Sequence, residues 1–139
     1  MMGFRLAIGL FALAITGTTA LAGSYSAGGY HLPHCDASNV MSAVAGSMKR
    51  AQQAYQNGLH IAGLSNVKQS RLDANGPSAV ARRYCRARAT LSDGRTRTVY
   101  YMVEQDAAFV GIRWDVESCV AAADKWRVYG NHCSTVRPR

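Results

Sequence analysis

The sequence predicts an α+β domain: one N-terminal amphipathic helix packed on an antiparallel meander of four to five strands, stapled by disulfides. Three observations lead there. Val40, Val44, Met48, Ala51 and Tyr55 recur at spacings of four, four, three and four, the repeat of one helix face. From Val80 onward apolar and polar residues alternate with period two, as in strands with one face buried. Cys35, Cys85, Cys119 and Cys133 form an even set.

Size and composition bound the rest. At 139 residues, 48% apolar and 17% charged, the chain suits one small domain around one hydrophobic core and is too apolar for disorder. The length excludes a two-domain enzyme, a Rossmann unit with a substrate domain and a TIM barrel. Met1 to Arg5 carries one positive charge, Leu6 to Ile15 is apolar, and Ala20-Leu21-Ala22 ends a stretch of small residues. That three-part pattern is a secretory signal peptide, expected over residues 1–22. Ten apolar residues span only about 15 Å of helix, half a bilayer core, so the segment is too short for a membrane anchor. No lipobox cysteine follows it, and nothing downstream is long and apolar enough to cross a membrane. The expected location is periplasmic or secreted.

Residues 23–34 (GSYSAGGYHLPH) are rich in Gly and Ser and read as a flexible arm, leaving residues 35–139 as the α+β domain. Asp36 or Ser38 offers an N-cap for the helix. Met41 and Ala45 widen its apolar stripe, while Ser47, Lys49, Arg50, Gln53 and Asn57 fall on the opposite side. Asn57-Gly58 ends it, Gly58 taking the left-handed conformation. Leu59 to Leu72 alternates, breaks at Gly63 and resumes at Val67, as a bent or bulged strand would. Asn75-Gly76-Pro77 is a turn.

Ser92-Asp93-Gly94 fits a three-residue hairpin loop with Gly94 in the left-handed position. It pairs Leu91 with Arg95, and the register follows: Ala87 faces Val99, Cys85 faces Tyr101 and Arg83 faces Val103. On the other side Thr90 meets Thr96, Arg86 meets Tyr100 and Arg82 meets Glu104. A two-residue Asp93-Gly94 loop would shift the pairing by one and set Val99, Tyr101 and Val103 among the arginines. The next strand, Phe109 to Ser118, turns Val110, Ile112, Trp114 and Val116 inward. A four-residue loop Gln105–Ala108 would set Val103 against Val110, Tyr101 against Ile112 and Val99 against Trp114, with Tyr100 meeting Arg113 and Thr98 meeting Asp115 outside. Trp126 to Tyr129 reads as a short final strand, and Asn131 to Arg139 as a basic tail.

In an exported chain four cysteines imply two disulfides. The register sets Cys119 seven residues past Ile112, over about 20 Å from Cys85, which disfavours that pairing. Cys119–Cys133, closing a local loop, and Cys35–Cys85, tying the helix start to the inner sheet face, are preferred. Metal binding through His31, His34 and Cys35, or His132 and Cys133, lacks the usual C-x2-C or H-x3-H spacing. No cofactor and no metal are expected.

A long amphipathic helix followed by an antiparallel meander resembles the cystatin-type arrangement, with the helix laid across a curved sheet. The likeness covers Asp36 to about Ser118 and is architectural. The inhibitors' Q-x-V-x-G hairpin loop is replaced by Ser92-Asp93-Gly94, so protease inhibition does not carry over. The run RRYCRARATLSDGRTRTVYY also looks similar to small uncharacterised exported bacterial proteins, a likeness that brings no activity.

The net charge is +8, and of the 16 basic residues only Lys49, Lys68 and Lys125 are lysines. Arginine suits planar contacts to carboxylate or phosphate, and the charge favours anionic surfaces or polyanions. The candidate binding surface is the outward face of the meander: Tyr84, Arg86, Arg88, Tyr100 and Arg113, with Arg82–Glu104 at its edge. An antiparallel sheet with one buried face shows a polar other face in any case, and Thr98, Asp115 and Glu117 partly neutralise this one. Asp115 and Glu117 are two apart on one strand face, without the sugar-sized cleft a glycosidase pair needs. No G-x-S-x-G, P-loop, H-E-x-x-H or EF-hand pattern occurs. The expectation is a non-catalytic exported binding module of the periplasm or cell envelope. Its partner would be an anionic envelope component or another exported protein, with no nucleic acid involved. The alternatives are a binder of anionic envelope polymers through the basic sheet face, and a small metal- or thiol-dependent enzyme using His31, His34, His132 and uncoupled cysteines.

Overall fold

Helix α1 (Ser38–Tyr55) forms where the apolar four-residue repeat begins, and Val40, Val44 and Met48 are buried along one stripe. The computed structural model describes residues 31–55, 58–78, 80–105 and 114–138. The side chains of Ala51 and Tyr55 lie outside the described residues. At the helix start the Val40 amide donates to Asn39 Oδ1 at 2.9 Å, so the engaged side chain is Asn39 rather than Asp36 or Ser38. Gly58 follows at φ +75°, the left-handed conformation expected of it.

Four antiparallel strands follow in a meander: β1 (Ile61–Asp73), β2 (Arg82–Leu91), β3 (Thr96–Gln105) and β4 (Trp114–Val120), in spatial order β1-β2-β3-β4. β1 is the bulged strand expected, its register with β2 shifting between Ile61 and Gly63, Ser65 and Lys68, and Gln69 and Arg71. The β2–β3 hairpin closes as expected. Leu91 N donates to Arg95 O at 2.9 Å, Asp93 Oδ1 accepts the Arg95 amide, and Gly94 sits at φ +80°. The register is the expected one throughout, from Thr90 opposite Thr96 to Arg82 opposite Glu104.

The β3–β4 register differs from the expectation. Val103 faces Val116 rather than Val110, Tyr101 faces Ser118 rather than Ile112, and Val99 faces Val120 rather than Trp114. Outside, Tyr100 meets Cys119, and Asp115 meets Glu104 rather than Thr98. The slip is an even number of residues. It therefore keeps each side chain on its expected face, and a period-two pattern is blind to it. The connection is residues 106–113, longer than the four-residue loop assumed; Phe109, Val110, Ile112 and Arg113 lie outside the described residues.

One face of the sheet packs on α1. Cys85, Ala87, Ala89, Leu91, Val99, Tyr101, Val103, Val116 and Val120 bury against Val40, Val44 and Met48. Each large aliphatic side chain buried here contributes about 1.5–3 kcal/mol. Tyr101 crosses this core, and its hydroxyl donates to Cys35 O at 2.8 Å. Ser47, expected on the polar side of the helix, instead bonds Ser118 of β4 at 2.5 Å, so the half-buried Ser47 hydroxyl satisfies the buried one of Ser118. Leu32, inside the segment read as an arm, is buried in this core too. Arg83 lies on the same face, 5% exposed, with Nη1 donating to Gln69 Oε1 and Nη2 to Leu32 O.

The other face carries a second, smaller core. Met102, Cys119, Cys133 and Val136 are buried together, with Tyr84, Tyr100 and Tyr129 against them. Beyond Ala121, whose amide still donates to Thr98 O at 2.8 Å, the chain folds back across β3 and β4. Trp126 to Tyr129 is a series of turns rather than a strand, because the Asp124 carboxylate accepts the Val128 and Tyr129 amides and competes with ladder pairing. The expected basic tail is likewise packed through Val136.

Both preferred disulfides are present, Cys35–Cys85 and Cys119–Cys133, with Cα atoms 5.8 Å and 5.7 Å apart. The reason against Cys85–Cys119 is different from the one expected. Cys119 stands nearly level with Cys85 two strands away, about 10 Å at ordinary strand spacing, but on the opposite face of the sheet.

Candidate functional site

β-pairing assembles the outer face in rows. Asp73, Arg82, Glu104 and Asp115 stand level across the four strands at one end. The next row is Arg71, Tyr84, Met102 and Glu117, then Lys68, Arg86, Tyr100 and Cys119, then Ser65, Arg88 and Thr98. The acids gather at one end and on β4. The cations occupy the middle of β1 and β2.

Arg71 binds Asp73 at 2.5 Å, and Arg82 binds Glu104. Lys68, Arg86 and Arg88 are exposed and form no ion pair among the described residues. Lys68 stands directly opposite Arg86, an arrangement that like charges make unfavourable, and Arg88 lies two residues along the same face. Asp115 does not neutralise this patch, since it faces Glu104 at the acidic end.

Of the sequence-derived site, Tyr84, Arg86, Arg88 and Tyr100 share this face, and Arg113 lies outside the described residues. The tyrosines are half-buried beneath the C-terminal segment rather than presented to water. Arg86 is opposite Tyr100 as expected, but the guanidinium over the Tyr100 ring is that of Arg137, 5.6 Å from the centroid. The structure adds Lys68 and Arg71 from β1 and Arg137 from the C-terminal segment. The β1 pair escapes sequence reading because the bulges after Ser65 and Gln69 break the alternation that would assign their face.

Among the described residues no three of His, Cys, Asp and Glu come together as metal ligands, and no cysteine is free. Cys35 and Cys133, the sulfurs beside His34 and His132, are bound in disulfides. Two disulfides are the mark of an oxidising, extracytoplasmic compartment. No helix among the described residues is long and apolar enough to cross a membrane. Set against models of protein families, curated proteins and solved structures, the chain matches none.

Proposed function

We propose that the chain is an exported, non-catalytic binding module of the periplasm or cell envelope. It engages an anionic envelope polymer through Lys68, Arg71, Arg86 and Arg88. The observation that carries this reading is the cross-strand pair Lys68–Arg86 with Arg88 beside it. Three exposed cations are held together without a carboxylate among the described residues. An unpaired like-charge cluster opposes folding slightly, and a polyanion laid across β1 and β2 would relieve it. Arginine there suits bidentate contacts to carboxylate or phosphate groups. The signal-peptide pattern of residues 1–22 and the two disulfides support export.

Heparin, a soluble polyanion, is a convenient probe. Retention on immobilised heparin is expected to fall steeply with added salt, as screening shortens the reach of exposed charges. Affinity is expected to drop about tenfold or more at low salt in a Lys68→Gln/Arg86→Gln/Arg88→Gln variant. A Lys49→Gln/Arg50→Gln variant, altered on the exposed side of α1, should be retained nearly as well as the parent. Equal retention of all three proteins would defeat the reading.

A further inference from the structure

Between β4 and the Asn131–Cys133 turn the chain makes a compact loop closed by the Cys119–Cys133 disulfide. Asp124 holds it from within: Oδ1 accepts the Val128 amide and Oδ2 the Tyr129 amide, both at 2.9 Å. Its backbone carbonyl accepts the Arg127 amide at 3.2 Å, and Arg127 carbonyl accepts the Gly130 amide at 2.9 Å. Ala122, Arg127, His132 and Cys133 all take positive φ, a conformation that non-glycine residues adopt only where the surroundings enforce it. Tyr129 roots the returning limb of the loop in the second core.

This bracing holds apolar side chains out in water. Trp126 is 71% exposed and Val128 73%, and these are the exposed large hydrophobics among the described residues. Lys125 and Arg127 alternate with them, and Lys125 Nζ lies 5.5 Å from the Trp126 ring centroid. We infer that this loop is a membrane-surface anchor. Trp126 and Val128 enter the headgroup layer of a bilayer while Lys125 and Arg127 pair with anionic phospholipid phosphates.

Tryptophan favours the bilayer interface because its ring is apolar and its indole N–H is polar. Flanking cations are drawn to the negative surface potential of anionic leaflets. A second copy of the chain fits less well. Two side chains cover far less than the roughly 800 Å² per partner of a stable protein interface. An anionic polymer would engage Lys125 and Arg127 but leave Trp126 and Val128 wet. The anchor is independent of the cationic sheet surface proposed above.

The test is the emission of Trp126, obtained as the difference between the parent protein and a Trp126→Phe variant, so that Trp114 is left in place. Vesicles of phosphatidylcholine containing phosphatidylglycerol should shift that emission to the blue, and vesicles of phosphatidylcholine alone should not. Vesicle partition should fall about tenfold or more in a Trp126→Ala/Val128→Ser variant and, separately, in Lys125→Gln/Arg127→Gln. Residues 1–22 are identical in every variant, so these differences belong to the loop. The Lys68→Gln/Arg86→Gln/Arg88→Gln variant should keep the Trp126 shift at saturating lipid even though it loses heparin. The inference is overturned if anionic vesicles leave Trp126 emission unmoved or if partition is unchanged by Trp126→Ala/Val128→Ser. It is overturned equally if the shift follows protein concentration without lipid, which would assign the loop to a second copy.

Discussion

Tyr101 ties three parts of the molecule together through one phenol. It is fully buried under α1, stands opposite Cys85 and donates its hydroxyl to Cys35 O. Burial, and to a lesser degree the nearby Asp36 carboxylate, pushes its pKa up to about 12. In an unfolded chain a tyrosine titrates near 10. The folded state therefore prefers the neutral phenol. That stability is fully present below about pH 10 and is lost as pH rises toward about 12, amounting to about 2–3 kcal/mol. Urea midpoints measured from pH 9 upward should show this loss in the parent protein. Tyr101→Phe should flatten it, after starting about 1 kcal/mol lower because Cys35 O loses its donor. The inward direction of Tyr101 is legible in the sequence, since the Gly94 loop fixes the alternation. The bonds of Arg83 on the same face are not legible, because a cation at an inward position looks like an error of register until Gln69 and the Leu32 carbonyl are seen beside it.

At the scale of elements, local chemistry decides how far a pattern can be read. The β2–β3 hairpin is legible in full because Gly94 marks the left-handed residue and the loop length leaves one sensible register. Gly94 has open space where a Cβ would go, so Gly94→Ala should destabilise through the backbone alone, by about 1–2 kcal/mol. Gly94→Asn should recover part of that, since asparagine tolerates positive φ. Thermal unfolding of the two variants checks the ordering. β4 carries no such marker. Its inward residues follow from alternation, yet its partners on β3 do not, because every even slip gives the same two faces. β1 fails in the opposite way: its existence is visible, but its bulges hide that Lys68 and Arg71 join the cationic face.

Among the described residues the molecule has two cores, one on each side of a single sheet, and each is stapled by its own disulfide. The first core is legible because α1 and three strands announce their faces by periodicity. The second is not, because Tyr129, Cys133 and Val136, although four and three residues apart, lie in turns and one short 3-10 turn, where spacing assigns no face. An outer face with alternating polar residues therefore reads as solvated. The two bridges should consequently report on different parts of the structure. Cys35→Ala/Cys85→Ala should lower global stability by about 2–4 kcal/mol. Cys119→Ala/Cys133→Ala should chiefly raise amide hydrogen exchange over residues 121–136 and leave α1 and β2 protected. Exchange that rises equally everywhere in the second variant would show that the two cores unfold as one.

Each bridge joins a cysteine to the next one along the chain, Cys35 to Cys85 and Cys119 to Cys133. If the chain is exported as proposed, N-terminus first into an oxidant-rich compartment, it would present these thiols in pairing order. Cys35 and Cys85 would both be out before Cys119 follows, so order of emergence would favour the native pairs over mispaired ones.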